Sequence, residues 1–196
     1  MDLLLATRNP HKTEEIQRIL GPKFVVHDLA LYPELSETAE NGKTFAENAI
    51  LKAVAVSKLL PDYVIADDSG LEVDALGGAP GIYSARYAGR SATDDQENIE
   101  KLLRELTQVG ARGEQRSARF HCVLALAHGG EILGTFEGVV EGTIVDVPRG
   151  NRGFGYDPVF RPKGFDKTFG EFTDAEKDRL SHRARALEKL RACLSS

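Results

Sequence analysis

The sequence predicts an α/β protein with a mixed sheet flanked by helices, and three observations carry that expectation. In the first half, apolar strand-like runs alternate with capped helical patterns. The second half turns to hairpin-like β sequence punctuated by glycines, which calls for antiparallel pairing. A capped, leucine-spaced helix closes the chain. No repeat, low-complexity tract or linker interrupts residues 1–196, which read as one continuous domain.

Element by element, residues 2–6 form a buried strand. Asn9 is a good N-cap and Pro10 suits the first helical position, so a helix runs to Leu20, where Gly21-Pro22 stops it. Thr44-Phe45-Ala46-Glu47 is a capping-box pattern, opening a helix expected to end near Leu60-Pro61. Residues 63–66 form a short strand, and residues 71–75 alternate as a second, half-buried one. A further capping box, Thr93 to Gln96, precedes a helix with Ile99, Leu102, Leu103 and Leu106 on one face. Residues 120–127 are strand-like, His128-Gly129-Gly130 marks a turn, and residues 131–136 return as the hairpin partner. More β-rich sequence follows at 139–140 and 143–145. Residues 156–160 are another candidate strand, with Pro158 arguing for an edge or a bulge. Thr173-Asp174-Ala175-Glu176 caps the last helix, which carries Leu180, Leu187, Leu190 and Leu194.

Composition narrows the function classes. Hydrophobic residues make up 41% and charged residues 28%, the balance of an ordinary globular protein. Leu3-Leu4-Leu5-Ala6 is too short for a signal-peptide core or a membrane span, so a cytoplasmic protein is expected. Cys122 and Cys193 are read as buried thiols in a reducing compartment rather than a disulfide. With a net charge of −5 and no basic stripe, the chain is not expected to bind nucleic acid or a membrane. A small phosphate-bearing ligand needs only a few placed cations.

Four stretches carry candidate chemistry. Thr7-Arg8-Asn9-Pro10-His11-Lys12 joins a strand to a helix N-terminus, whose backbone N–H groups and dipole suit phosphate, with Lys12 adding a charge. The same residues also describe a well-capped helix with an exposed lysine. Gly42-Lys43-Thr44 is no Walker A loop, because Glu37 stands where the motif needs glycine. Thr44 is instead a helix cap, and Glu40 a loop carboxylate able to reach a metal. Asn48 and Lys52, four apart, share one helix face, where Lys52 meets either a phosphate or solvent.

Ile65-Ala66-Asp67-Asp68-Ser69-Gly70 is the most informative stretch: paired carboxylates at a strand's C-terminal end, where α/β folds place ligands. Strand alternation sends Asp67 and Asp68 to different sides, so one can hold Mg²⁺ while the other orients or deprotonates water. An Asx-type turn is the alternative. Gly153-Phe154-Gly155-Tyr156-Asp157-Pro158 offers an aromatic ring between glycines, able to stack on a planar base or simply to make a hairpin turn. Lys177 and Ser181-His182-Arg183, mid-way along the last helix, supply donors that either read a base carbonyl or face solvent.

Taken in order, these stretches closely resemble the inosine triphosphate pyrophosphatase family of Ham1-like enzymes. The matching segments also include Thr44 to Ala53 and Gly77-Gly78-Ala79-Pro80-Gly81-Ile82-Tyr83-Ser84-Ala85-Arg86, and together they span residues 7–183. The sequence departs at Arg8, where a glycine often sits. The resemblance implies an elongated mixed sheet flanked by helices, two lobes around an active-site cleft, and a homodimer. It further implies Mg²⁺-dependent hydrolysis of ITP, dITP and XTP to the monophosphate and pyrophosphate. Carried over, Thr7, Asn9 and Lys12 hold the phosphates with Lys52 near them, and Ser69 contacts substrate. Glu40 and Asp68 bind Mg²⁺, and Asp68, with Asp67 as a possible helper, activates water. Phe154, Gly155, Tyr156, Asp157, Lys177, His182 and Arg183 form the base pocket. The competing readings are a Maf-like pyrophosphatase and a nucleotide sensor without turnover.

Overall fold

Asp2–Leu5 (β1), Pro10–Leu20 (α1) and Val25–Asp28 (β2) open the chain, followed by Phe45–Ser57 (α2), Val64–Val73 (β3) and Asp95–Gln108 (α3). Ser117–His128 (β4), Glu131–Ile144 (β5), Phe160–Pro162 (β6), Asp174–Leu180 (α4) and His182–Leu194 (α5) complete it. This computed structural model describes residues 1–36, 38–89 and 94–194. The six strands form one mixed sheet in the order β2-β1-β3-β4-β5-β6. β1 pairs in parallel with β2 and β3, whereas β5 and β6 are antiparallel, so the mixed α/β expectation holds.

The chain divides into two compact units. The first comprises Met1–Asp68, Cys122–Gly138 and His182–Ser196. Its core packs Leu3, Leu5, Ile16, Leu20, Ile65, Leu124 and Leu126 against Ala186, Leu187 and Leu190, which is the apolar stripe of α1 and α5 laid on one face of the sheet. The second comprises Ser69–His121 and Val139–Ser181. Its core joins Leu71 and Val73 to Ile99, Leu102 and Leu106 of α3 and to an aromatic cluster of Phe120, Phe160, Phe169 and Phe172.

The helix starts follow local chemistry. Asn9 caps α1 with its side chain, Pro10 begins it, and Gly21, at φ 74°, ends it. Thr44 caps α2 through Glu47 N. Helix α2 stops at Ser57, short of Leu60-Pro61. Asp94 caps α3 through Gln96 N, while Thr93, the expected cap, lies outside the described residues.

Four expectations need correction. Residues 63–66 and 71–75 are not separate strands: β3 runs unbroken from Val64 to Val73, because the sheet continues to pair it after β1 has ended. Consequently Asp67, Asp68 and Ser69 lie within a strand rather than in a turn. The β-rich fragments after His128 likewise merge into a single strand, β5. Residues 156–159 are a turn, held by Val159 N and Phe160 N donating to Tyr156 O, and only β6 is extended. Finally, the last helix is two helices: Ser181 is extended, at φ −64° and ψ 157°, and ends α4 before α5 begins at His182. No helix among the described residues is long and apolar enough to cross a membrane. Cys122 is buried and Cys193 exposed, with no disulfide between them.

Candidate active site

The first unit carries the acidic and lysine-rich part of the site. In the loop after β1, Thr7 Oγ1 accepts from Asn9 N at 3.1 Å. Asn9 Oδ1 accepts from His11 N at 3.0 Å and from Lys12 N at 3.4 Å. Pro10 has no N–H. The N–H groups of Asn9, His11 and Lys12 are thus engaged by the cap. The Lys12 ammonium and the positive end of the α1 dipole give this loop its cationic character. Arg8 also departs from its expected place. Its guanidinium donates to Leu29 O at 2.7 Å, Tyr32 O at 3.1 Å and Leu35 O at 2.6 Å, so it binds chain rather than ligand.

Beside this loop, β1 stops pairing once Ala6 N has reached Ile65 O at 2.7 Å. The next β3 carbonyl on that edge, Asp67 O, is met by Lys52 Nζ at 2.8 Å and Lys12 Nζ at 3.4 Å. Two ammonium groups thus converge on one carbonyl. Alternation along β3 then separates the two aspartates, as expected. Asp67 joins the face of Ile65 and meets Lys12 Nζ at 2.6 Å, Arg183 Nε at 2.9 Å and Cys122 Sγ at 3.4 Å. Asp68 meets Lys52 Nζ at 2.7 Å, and Lys52 also reaches Glu40 at 2.9 Å.

These surroundings assign opposite properties to the neighbours. Burial alone would push the Asp67 carboxyl up, but Arg183 and Lys12 outweigh it and hold Asp67 well below the usual carboxylate range. A carboxyl held that low favours the anion and is a weaker proton acceptor than its neighbour. Burial pushes Asp68 up from its ordinary value, against the pull of Lys52. Its Oδ2 is buried with no hydrogen-bond partner among the described residues, an acceptor left for something else.

The donor set fits a hard cation. Asp68 Oδ1 and Glu40 Oε1 both meet the Lys52 ammonium, and the second oxygen of Asp68, Oδ2, is buried with no hydrogen-bond partner among the described residues. Among the described residues no three His, Cys, Asp or Glu side chains gather into a cage. A magnesium site completed by substrate phosphates requires only one or two carboxylates. Gly42 helps to place Glu40: its N–H donates to Asn48 Oδ1 at 2.9 Å, and a Cβ there would lie 2.7 Å from that oxygen. Ser69 follows Asp68 along β3, half-buried.

Within the second unit, the aromatic turn is held from three sides. Asp157 Oδ2 accepts from Phe154 N at 3.0 Å and from Lys177 Nζ at 2.6 Å. Tyr156 donates its hydroxyl to Ser84 O at 2.8 Å, and Gly155 N donates to Asp95 Oδ2 at 2.6 Å. Gly153, at φ 72°, is required, since a Cβ would lie 2.0 Å from Asp157 Oδ2. The Lys177 ammonium lies 4.9 Å from the Phe154 ring centroid. Sequence reasoning missed Asp95 and Ser84. The only signal for Asp95 was a carboxylate in a helix's first turn, which ordinarily reads as a dipole partner.

His182 and Arg183 fall in the first unit, at the start of α5. Arg183, expected to read a base, is engaged by two carboxylates. Its side chain is 1% exposed, with Nε on Asp67 and NH1 on Glu15 Oε1 at 3.0 Å. A guanidinium enclosed by two carboxylates orients them, and here it aims Asp67 at Lys12.

Comparison with known proteins agrees with this arrangement. The family model described as the Ham1 family matches residues 3–193. This chain belongs to the Ham1 family. It is 53% identical over 196 residues to a dITP/XTP pyrophosphatase of Bacillus subtilis, covering 100% of this chain and 98% of that one. Among solved structures, the Ham1 protein of Staphylococcus aureus superposes with a TM-score of 0.85 at 41% identity, covering 100% and 98% of the two chains. A Ham1 protein from Coxiella burnetii gives 0.88 at 39% identity, with the same coverage. The Ham1 fold accounts for the mixed six-stranded sheet and its flanking helices.

Proposed function

We propose that this Ham1-family protein hydrolyses dITP, ITP and XTP to the nucleoside monophosphate and pyrophosphate, using Mg²⁺. The observation that carries the reading is Asp68, a buried carboxylate with one orphaned oxygen, set between Lys52 and Glu40. Relatives over the full chain length are dITP/XTP pyrophosphatases, which supports the substrate class.

Glu40 and Asp68 would hold the cation, which when bound neutralises phosphate charge and lowers the barrier to attack at phosphorus. Asp68 takes the proton of the attacking water, whose oxygen bonds to the α-phosphorus as the bond to the bridging oxygen breaks. Lys12 and Lys52 offset the charge of the departing pyrophosphate. Asp67 keeps Lys12 in place. Phe154 stacks on the base and Lys177 donates to its 6-keto oxygen. Adenine offers an amino group there, and two facing donors cost about 1–3 kcal/mol for each one left unpaired. The reading includes a homodimer acting in the cytoplasm, and sedimentation at twice the chain mass of 21.4 kDa checks the first part.

Incubation with dITP, XTP, ITP, GTP and ATP, followed by product identification, tests the activity. Monophosphate and pyrophosphate should appear from the first three, and orthophosphate release or no turnover would overturn the reading. Chelation by EDTA should abolish hydrolysis, and restored Mg²⁺ should recover it. Base and phosphate roles separate by mutation. In Lys177→Met, loss of a charged donor costs about 1.5–3 kcal/mol, so kcat/KM for ITP should fall roughly ten- to a hundredfold more than that for ATP. In Lys12→Ala both should fall by similar factors, because every substrate shares the triphosphate. An unchanged ITP/ATP ratio in Lys177→Met removes that residue from base reading.

A further inference from the structure

Arg8 lies between Thr7 and Asn9, two residues expected to hold phosphate, yet its side chain leaves them. Its three bonds go to carbonyls three residues apart, those of Leu29, Tyr32 and Leu35. Tyr32 N donates to Leu29 O and Leu35 N to Tyr32 O, both at 3.1 Å, so two successive tight turns present these oxygens together. A planar guanidinium spreads its donors over separate nitrogens, here NH1 on Leu29 O and NH2 on Tyr32 O and Leu35 O, whereas the three donors of an ammonium all radiate from one nitrogen on a flexible stem. The segment so gripped leads directly to Glu40, five residues beyond Leu35. On the far side, Glu40 is followed by Gly42, held by Asn48 at 2.9 Å. Glu40 therefore sits on a short span pinned at both ends, and Arg8 is the upstream pin.

We propose that Arg8 is a positioning residue for the acidic cation site, holding the 29–35 turns against the loop after β1 so that Glu40 stays opposite Asp68. The proposal rests on the reading of Glu40 as a cation ligand. It assigns Arg8 an action through the chain and not through contact with substrate. Releasing Arg8 leaves Leu29 N on Thr7 O at 3.0 Å as an upstream tether, which lengthens the span before Glu40 from five residues to eleven. Chain entropy alone then weakens the placement of Glu40 on the order of threefold.

The test is Mn²⁺ binding to the intact protein, followed by electron paramagnetic resonance, alongside hydrogen exchange over residues 29–40. Wild type, Arg8→Gly, Arg8→Lys, Glu40→Gln and the double variant Arg8→Gly/Glu40→Gln are compared. Arg8→Gly should weaken Mn²⁺ binding by roughly three- to tenfold and speed exchange at Leu35. Arg8→Lys should bind no better than Arg8→Gly, and Arg8→Gly should add nothing once Glu40 is Gln. In turnover, the metal concentration for half-maximal rate should rise by a larger factor than kcat falls. Full affinity in Arg8→Lys would show that only the charge matters and overturn the clamp. Unchanged affinity in Arg8→Gly, with Glu40→Gln weakened, would overturn the positioning role alone. Unchanged affinity in Glu40→Gln, or no Mn²⁺ site in wild type, would remove the reading of Glu40 and the proposal with it.

Discussion

Asp68→Asn is expected to yield a folded protein whose kcat is lower by roughly 10²–10⁴-fold, the range for loss of a positioned general base. The fold should survive because an amide oxygen still accepts from Lys52 Nζ, now 2.7 Å from Asp68 Oδ1. Catalysis should not, since an amide neither takes a proton at neutral pH nor makes a good ligand for a hard cation. The orphaned Oδ2 is the acceptor whose loss is being measured. Circular dichroism and thermal melting establish folding, and pyrophosphate release gives the rate. Turnover within tenfold of wild type, in a folded variant, would take the proton-accepting role away from Asp68.

Arg183→Ala is expected to act chiefly on stability. The residue lies in a buried chain, Glu15–Arg183–Asp67–Lys12, whose first three side chains are 3%, 1% and 0% exposed. Removing the guanidinium takes from Glu15 and Asp67 the cation that lies between them. Breaking a buried ion pair in this way costs about 3–5 kcal/mol. For a chain of this size, that lowers Tm by roughly 6–20 °C. Activity should fall on ITP and ATP alike, because the Asp67 carboxylate that holds Lys12 loses the guanidinium that orients it. Adding Glu15→Gln should recover part of the Tm, since it discharges the stranded carboxylate. A normal Tm with a selective loss on ITP would return Arg183 to the base.

Much of the site was legible in local sequence. Asn9-Pro10 and Thr44 specify helix starts because capping needs only groups two or three residues away. Alternation placed Asp67 and Asp68 on opposite faces, since side-chain direction in a strand depends on nothing beyond the strand. The family pattern supplied Lys12, Lys52, Asp67 and Asp68 as candidate residues, but not the ion pairs that join them in the structure. The break at Ser181 and the union of residues 64–73 into β3 were less accessible, because strand and helix limits depend on neighbours far along the chain.

What this sequence determined by itself was the family, the helix caps and the list of residues able to carry chemistry. The division of labour among them came only from tertiary structure. Asp67 and Asp68 are adjacent and chemically identical, and they differ because Arg183, 116 residues away, stands on one side and Lys52 on the other. Arg8 faces carbonyls up to 27 residues distant, and Arg183 meets Glu15 across 168. The physical reason is that a carboxylate's proton affinity and a cation's task follow from desolvation and from the opposite charges packed beside them. Those neighbours are assembled by folding, not by spacing along the chain.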